Sequence, residues 1–159
     1  MPASRHLANG AWEALLSAHA TLIKQFAAED IWGEISMREY DVLYTLSKCD
    51  EPVRLSELNR HVLLSQPALS RLVDRLAERG LVERQSDPAD GRGVRLALTA
   101  VGRGLQRQVG QRHARSVAQA LTAGLTAGEL RELETICQKL ARLPAVPVAA
   151  GDQERGIRT

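Results

Sequence analysis

The run Leu64-Ser65-Gln66-Pro67-Ala68-Leu69-Ser70-Arg71-Leu72-Val73-Asp74-Arg75-Leu76, followed by Gly80-Leu81-Val82-Glu83-Arg84, has two faces. Leu69, Leu72, Val73 and Leu76 recur at helical spacing, which predicts a helix with one core-facing stripe. Pro67 is tolerated in the first turn of such a helix, and Gly80 ends it. The opposite face carries Pro67, Ser70, Arg71, Asp74 and Arg75. Upstream, Val53-Arg54-Leu55 is a short extended piece, and Ser56 is read as the cap of a short helix that turns Leu58 and Val62 inward. Leu63-Leu64 then makes a tight turn. Downstream, Leu81 to Gln85 is one extended run, and Val94, Leu96 and Leu98 alternate with Arg95 and Ala97 in a second. Between them Asp87-Pro88-Ala89-Asp90-Gly91-Arg92-Gly93 is dense in turn residues and predicts a hairpin with a long tip.

Helix, tight turn, helix and hairpin in that order make a winged helix-turn-helix over about residues 52 to 98. The arrangement suits duplex DNA. Its second helix fits the major groove, while the hairpin reaches neighbouring phosphates or the minor groove. Groove entry requires small and polar side chains near the start of that helix, and Ser65, Gln66, Pro67, Ala68, Ser70 and Arg71 supply them. Arg71 or Gln66 can be bidentate to a base edge, each such contact discriminating by roughly 1–3 kcal/mol. Ser65 and Ser70 suit phosphates, and Arg75 lies one turn further toward the backbone. Arg84 and Arg95 on the hairpin fit either DNA or solvent.

On either side the stripes continue. Trp12, Leu15, Leu16, His19, Leu22, Ile23 and Phe26 predict a first helix over about residues 10 to 28. Ser36-Met37-Arg38-Glu39 has capping-box form and opens a second, to about residue 48, with Tyr40, Leu43, Tyr44 and Leu46 behind it. After the hairpin, Thr99 caps a long helix with the stripe Leu105, Val109, His113, Val117 and Leu121, ended by Gly124. Thr126-Ala127-Gly128-Glu129 is a second capping box, opening a helix with Leu130, Leu133, Ile136, Leu140 and Leu143. Pro144 and Pro147 stop it, and residues 149 to 159 read as a disordered tail. The winged module is too small to bury these outer stripes, so a two-fold dimer is the expected cover; it would set two recognition helices about 34 Å apart.

The recognition-helix run, Asp87-Pro88-Ala89-Asp90-Gly91-Arg92, and Leu96-Ala97-Leu98-Thr99-Ala100-Val101-Gly102 together resemble MarR-family transcription regulators. The family's wing motif is Asp-x-Arg a few residues before Leu-Thr-x-x-Gly, and Asp90 with Arg92 occupies it. The resemblance covers roughly residues 10 to 143. It implies a homodimer in which the first, fifth and sixth helices interlock and two winged domains read a palindrome. It implies that Arg92 enters the minor groove while Asp90 helps hold the wing. Gly91 stands where many relatives place a second arginine, so this wing is expected to grip less tightly or bend more easily. A sensing pocket in the family commonly lies between the winged domain and the dimer helices. Trp12, His19, Tyr40, Tyr44 and His113 are its candidates here, for a small aromatic or amphipathic anion; core packing is the competing account of each.

The 159 residues make about one domain's worth, with 44% hydrophobic and 25% charged, ordinary composition for a folded soluble chain. No apolar run is long enough to span a membrane, and Asn9, Gly10 and Glu13 interrupt any signal-like segment, so a cytoplasmic protein is expected. The net charge is only +2, yet Gly91 to Gly128 holds six arginines and no acid. That block reads as a footprint for a polyanion, or as a solvated face in a chain with 18 Arg and 3 Lys. Charge alone does not choose.

Cys49 and Cys137 are too few for a disulfide framework and read as structural thiols, Cys137 the more buried. With no cysteine near the start of the first helix, the family's peroxide-sensing branch is not indicated. His6, His19, His61 and His113 show no zinc-ligand spacing, and no metal or cofactor is expected. A phosphate loop, a nucleophile elbow and a His-Glu-x-x-His pair are all missing from the sequence, which argues against an enzyme. The rival class is a winged helix used as a protein-interaction module; arginines kept on both recognition helix and wing weigh against it. The expected protein is mainly α with a small β-hairpin wing, a winged helix-turn-helix flanked by N- and C-terminal dimerisation helices in a single domain. Its expected role is a ligand-responsive repressor on double-stranded DNA, since a dimer covering a promoter blocks polymerase by occupancy.

Overall fold

The computed structural model describes residues 4–143. The chain order is α1 (Arg5–Ala27), α2 (Met37–Ser47), β1 (Val53–Arg54), α3 (Leu55–Leu58), α4 (Gln66–Glu78), β2 (Val82–Asp87), β3 (Asp90–Leu98), α5 (Ala100–Thr122) and α6 (Ala127–Ala141). Two compact units result, one ending at Gln119 and the other beginning at Ala120. Among the described residues no helix is long and apolar enough to cross a membrane.

Both predicted capping boxes are present. Ser36 Oγ accepts from the Glu39 amide at 3.3 Å while the Glu39 carboxylate accepts from the Ser36 amide at 2.7 Å. Thr126 and Glu129 repeat this reciprocal pair at the start of α6. Two other starts differ from expectation. α1 begins at Arg5 because Ser4 Oγ accepts from the Leu7 amide, so Asn9 and Gly10 lie inside the helix. α3 begins at Leu55, and Ser56 is not its cap: the Glu57 carboxylate accepts from the Arg54 amide at 2.8 Å and closes the first turn instead.

The three strands form an antiparallel sheet in the order β1-β3-β2. β1 contributes only the pairs Val53 with Leu96 and Arg54 with Arg95. β2 and β3 stay paired from Val82 with Leu98 out to Asp87 with Asp90, so the tip is just Pro88-Ala89. The long tip read from sequence is thereby corrected. An Asp side chain can close a turn two residues on, and Asp87 Oδ1 accepts from the Ala89 amide at 3.0 Å.

The core gathers Leu58 of α3, Leu69, Leu72, Val73 and Leu76 of α4, and Val82, Leu96 and Leu98 of the sheet, with Val42, Leu43 and Leu46 of α2 also buried. Each such side chain contributes about 1.5–3 kcal/mol by leaving water. The exit from the wing is held as firmly. Thr99 Oγ1 accepts from the Gly102 amide at 2.9 Å and donates to the Gly80 carbonyl at 2.7 Å. Gly102 then lies so close to α4's end that a Cβ there would stand 1.9 Å from the Leu81 carbonyl oxygen. No other residue fits.

The outer helices behave otherwise. On α1 only Phe26 is buried, and Leu7, Trp12, Leu16 and Ile23 are exposed. On α5 Val109 and Gly102 are buried, while Leu105, His113, Val117 and Leu121 are half-buried. α6 buries nothing: Leu133, Ile136, Leu140 and Leu143 are all exposed. Cys137 shares that exposure, which corrects its reading as the more buried thiol; Cys49 is half-buried, its Sγ donating to the Thr45 carbonyl. The tail predicted over residues 149 to 159 lies outside the described residues.

Candidate nucleic-acid interface

α4 is amphipathic in the way the sequence predicts. Leu69, Leu72, Val73 and Leu76 are buried, and Gln66, Pro67, Arg71 and Arg75 are exposed on the other side, with Ala68 and Ser70 half-buried. The turn leading into it is fixed by a contact no pattern announced, Asn59 Nδ2 donating to the Leu64 carbonyl at 2.8 Å. At the N-cap, Ser65 holds extended backbone geometry but its side chain makes no capping hydrogen bond, and the first turn holds no acid. Ser4, Ser36 and Thr126 all spend their hydroxyls on caps. The start of α4 therefore presents a free hydroxyl and unpaired amides, the groups that bind phosphate at a helix N-terminus.

Asp74 decides how the arginines of this helix are used. It pairs with Arg84 of β2, tying the wing to the recognition helix. Arg71, three residues earlier on α4, was the other cation within helical reach of it. Among the described residues neither Arg71 nor Arg75 has an ion-pair partner. Two solvated cations one turn apart thus line the exposed face of α4, which is the charge arrangement a DNA backbone or a guanine edge requires.

The wing is organised by Asp87, which sequence reading passed over in favour of Asp90. Asp87 is 2% exposed. Its Oδ2 accepts from Arg54 Nε at 2.7 Å and lies 2.6 Å from Arg54 Nη2, and its Oδ1 lies 3.1 Å from Arg95 Nε. Arg95 also donates from Nη1 to the Pro52 carbonyl at 3.1 Å. The Ala89 amide above all, then Arg54 and Arg95, holds the Asp87 carboxyl at about 2, against the opposing effect of burial. The available signal was the doubled turn residue Asp87-Pro88, which reads equally well as a loop. Arg95 is therefore engaged inside the protein, and Arg84 faces Asp74. Asp90 is exposed in the wing turn, opposite Asp87. Arg92 lies on β3, and its side chain is outside what the structure describes.

The five candidate pocket residues fall in different places. Tyr40 and Tyr44 stack with centroids 5.8 Å apart, and His113 meets Tyr40 edge-on at 5.5 Å. Phe26 and Trp32 complete this group at 5.2 and 5.1 Å from His113. Burial raises the Tyr40 hydroxyl above its ordinary range and lowers the His113 imidazolium below its own, with Glu29 opposing the latter shift. His19 lies elsewhere, lining a ≈ 170 Å³ cleft with Ile23, Arg38, Asp41 and the turn residues Val62 to Leu64. Trp12 is 58% exposed on α1 and lines neither. Among the described residues no group of three or more His, Cys, Asp or Glu could hold a metal ion.

Residues 34–93 match the family model described as MarR family. The multiple antibiotic resistance protein MarR of Salmonella typhimurium is 34% identical over 107 residues, which is 67% of this chain and 74% of that protein. A MarR variant from E. coli, solved with operator DNA, superposes with a TM-score of 0.70 at 28% identity, covering 89% of this chain and 100% of that one. The PcaV regulator of Streptomyces coelicolor, solved with its natural ligand, superposes with a TM-score of 0.62 at 28% identity over 89% of this chain and 97% of its own.

Proposed function

The chain belongs to the MarR family of transcription regulators, and from that premise we propose that it is a ligand-responsive repressor that binds palindromic operators as a homodimer. The observation that carries the reading is the exposed face of α4, where Arg71 and Arg75 stand unpaired beside an uncapped helix start. Ser65, Gln66, Pro67, Ala68, Ser70 and Arg71 enter the major groove, Arg75 follows the backbone, and Arg92 carries the wing contact with Asp90 beside it. Base-edge contacts set specificity, and the arginines on phosphate set affinity and its salt dependence.

The second copy covers the exposed stripes of α1 and α6, since apolar faces of that extent are seldom left in water. The effector is a small aromatic or amphipathic anion, and the cleft lined by His19, Ile23, Arg38, Asp41 and Leu63 offers it the Arg38 cation and an apolar floor, with the Asp41 carboxylate as the group it must stand clear of. Binding there shifts the spacing of the two recognition helices, so that both half-sites no longer fit together. A MarR variant solved with operator DNA supports the DNA-binding part of this reading, and the PcaV regulator solved with its natural ligand supports the binding of an effector. The protein acts in the cytoplasm, where operator DNA is reached.

Fluorescence-anisotropy titration onto the duplex upstream of its own gene, against a scrambled duplex at several salt concentrations, tests the proposal. The expected result is tighter binding to the native duplex that persists near physiological salt. Equal and steeply salt-dependent binding to both would overturn sequence-specific recognition, and no binding at any salt would favour the protein-interaction module.

A further inference from the structure

The distal wing has little to hold it. β1 pairs only as far as Arg54 with Arg95, so beyond Gln85 the hairpin is a two-stranded ribbon. Residues 83–86 of β2 are all exposed, and such ribbons are marginal in water on their own. Yet Asp87, near the far end of β2, is buried. A register shift between Ser86 and Asp87 breaks the strand's alternation and re-aims that side chain inward. Room for it comes from Gly93 across the ribbon, where a Cβ would stand 3.0 Å from Asp87 Cβ and 3.4 Å from Asp87 Oδ2. Bulge and glycine together seat one carboxylate.

That carboxylate joins three places at once, and Arg95 adds a second side-chain link, to the Pro52 carbonyl, between β3 and the entrance to β1. Oδ1 accepts from the Ala89 amide in the tip turn and faces Arg95 of β3, while Oδ2 takes Arg54 at the entrance to α3. Arg54 and Arg95 retain 42% and 30% exposure, so the linkage sits at the side of the wing and not in the hydrophobic core.

We infer that Asp87 is the positioning residue of the wing, fixing the angle at which the tip is presented to DNA by tying it to the helix-turn-helix. This rests on the DNA-binding reading given above. Losing the tie lets the tip swing while the core of α4 and the sheet base persists. Contacts made by the tip then lose their advance ordering, and their share of affinity falls.

Asp87→Asn keeps the size of the side chain and removes its charge. The expected result is operator binding weakened about tenfold at a temperature where the variant, which forgoes the stability that the carboxylate contributes at neutral pH, is still fully folded. A double-mutant cycle with Arg92→Ala reads positioning directly: Arg92→Ala weakens the wild type about tenfold and the Asp87→Asn protein less than twofold. Full additivity, or unaltered binding by Asp87→Asn, overturns the inference. If Asp87→Asn does not fold, Arg54→Gln severs one arm and leaves the Ala89 and Arg95 contacts. Hydrogen exchange at the amides of residues 85 to 93 should then quicken while α4 amides keep their protection; unchanged exchange in the wing overturns it. If the wild type binds no duplex, the regulator reading fails, and the same exchange measurement still decides whether Asp87 holds the wing.

Discussion

α4 and α6 are written in the same code and end in opposite conditions. Each carries leucines at helical spacing and a polar opposite face. In α4, Leu69, Leu72, Val73 and Leu76 are all buried; in α6 no residue is. α6 is well capped, by the Thr126–Glu129 box, so its exposure is not a sign of a poorly specified helix. Periodicity reports that a face needs cover without saying who supplies it. The winged module finds its cover within the chain, and the apolar faces of α1 and α6 are left exposed on the single chain.

The largest effect separates these two conditions. Leu43 and Leu69 are fully buried, and replacing either by Ala should cost about 2–5 kcal/mol in urea unfolding at any protein concentration. Leu140 is 47% exposed, and Leu140→Ala should change the stability of a dilute single chain by less than about 0.5 kcal/mol. The same substitution should weaken self-association, so that its apparent cost grows with protein concentration. Equal costs for Leu69→Ala and Leu140→Ala in the most dilute samples would erase the contrast.

Next in size comes the joint where the module passes into α5. Gly102→Ala sets a methyl against the Leu81 carbonyl, and should destabilise by about 1–3 kcal/mol, as overpacking does. Gly104, two residues on, has nothing within reach of a Cβ, so Gly104→Ala should stabilise by up to about 1 kcal/mol. Thermal melts of both variants check the pair. A Gly102→Ala protein as stable as wild type would mean that this joint is loose.

Sequence reading succeeds for most features that a single element settles, and misses three local ones: the Ser4 cap of α1, the Glu57–Arg54 closure of α3 and the Asp87–Ala89 turn that shortens the wing tip. The Ser36 and Thr126 capping boxes, the α4 stripe, the stop at Gly80 and the order of the elements all depend on neighbours a few residues apart. The remaining failures involve partners far along the chain. Asp87 and Arg54 are 33 residues apart, so nothing local marks Asp87 as the buried carboxylate, and Asp90 draws attention by its motif. Arg84 with Asp74 likewise joins a strand to a helix face and decides which arginines of α4 remain free. The pocket candidates show the same limit. Tyr40 and His113 pack together, and His19, equally periodic on α1, lines a separate cleft.

The smallest effect concerns two titratable groups that the fold treats alike. Burial lowers His113 from its ordinary 6.5, and contact with the Ala89 amide and two arginines lowers Asp87 from 3.8 to about 2. For both groups the folded state binds its proton less tightly than the unfolded chain does. Their contribution to stability is therefore complete above the ordinary pKa and is lost as pH falls through the folded one. Acid unfolding should show a loss that begins below about pH 6.5, absent in His113→Gln, and a further loss through the carboxylate range, smaller in Asp87→Asn, with Glu129 of the α6 capping box supplying the part that remains. The first step reports the aromatic group of Phe26, Trp32 and Tyr40 around the imidazole, and the part of the second that Asp87→Asn removes reports the wing. Denaturant midpoints measured from pH 8 to 2 separate them. If the loss below pH 6.5 survives in His113→Gln, another group titrates there, and the contrast between the buried module and the exposed outer helices must be redrawn around it.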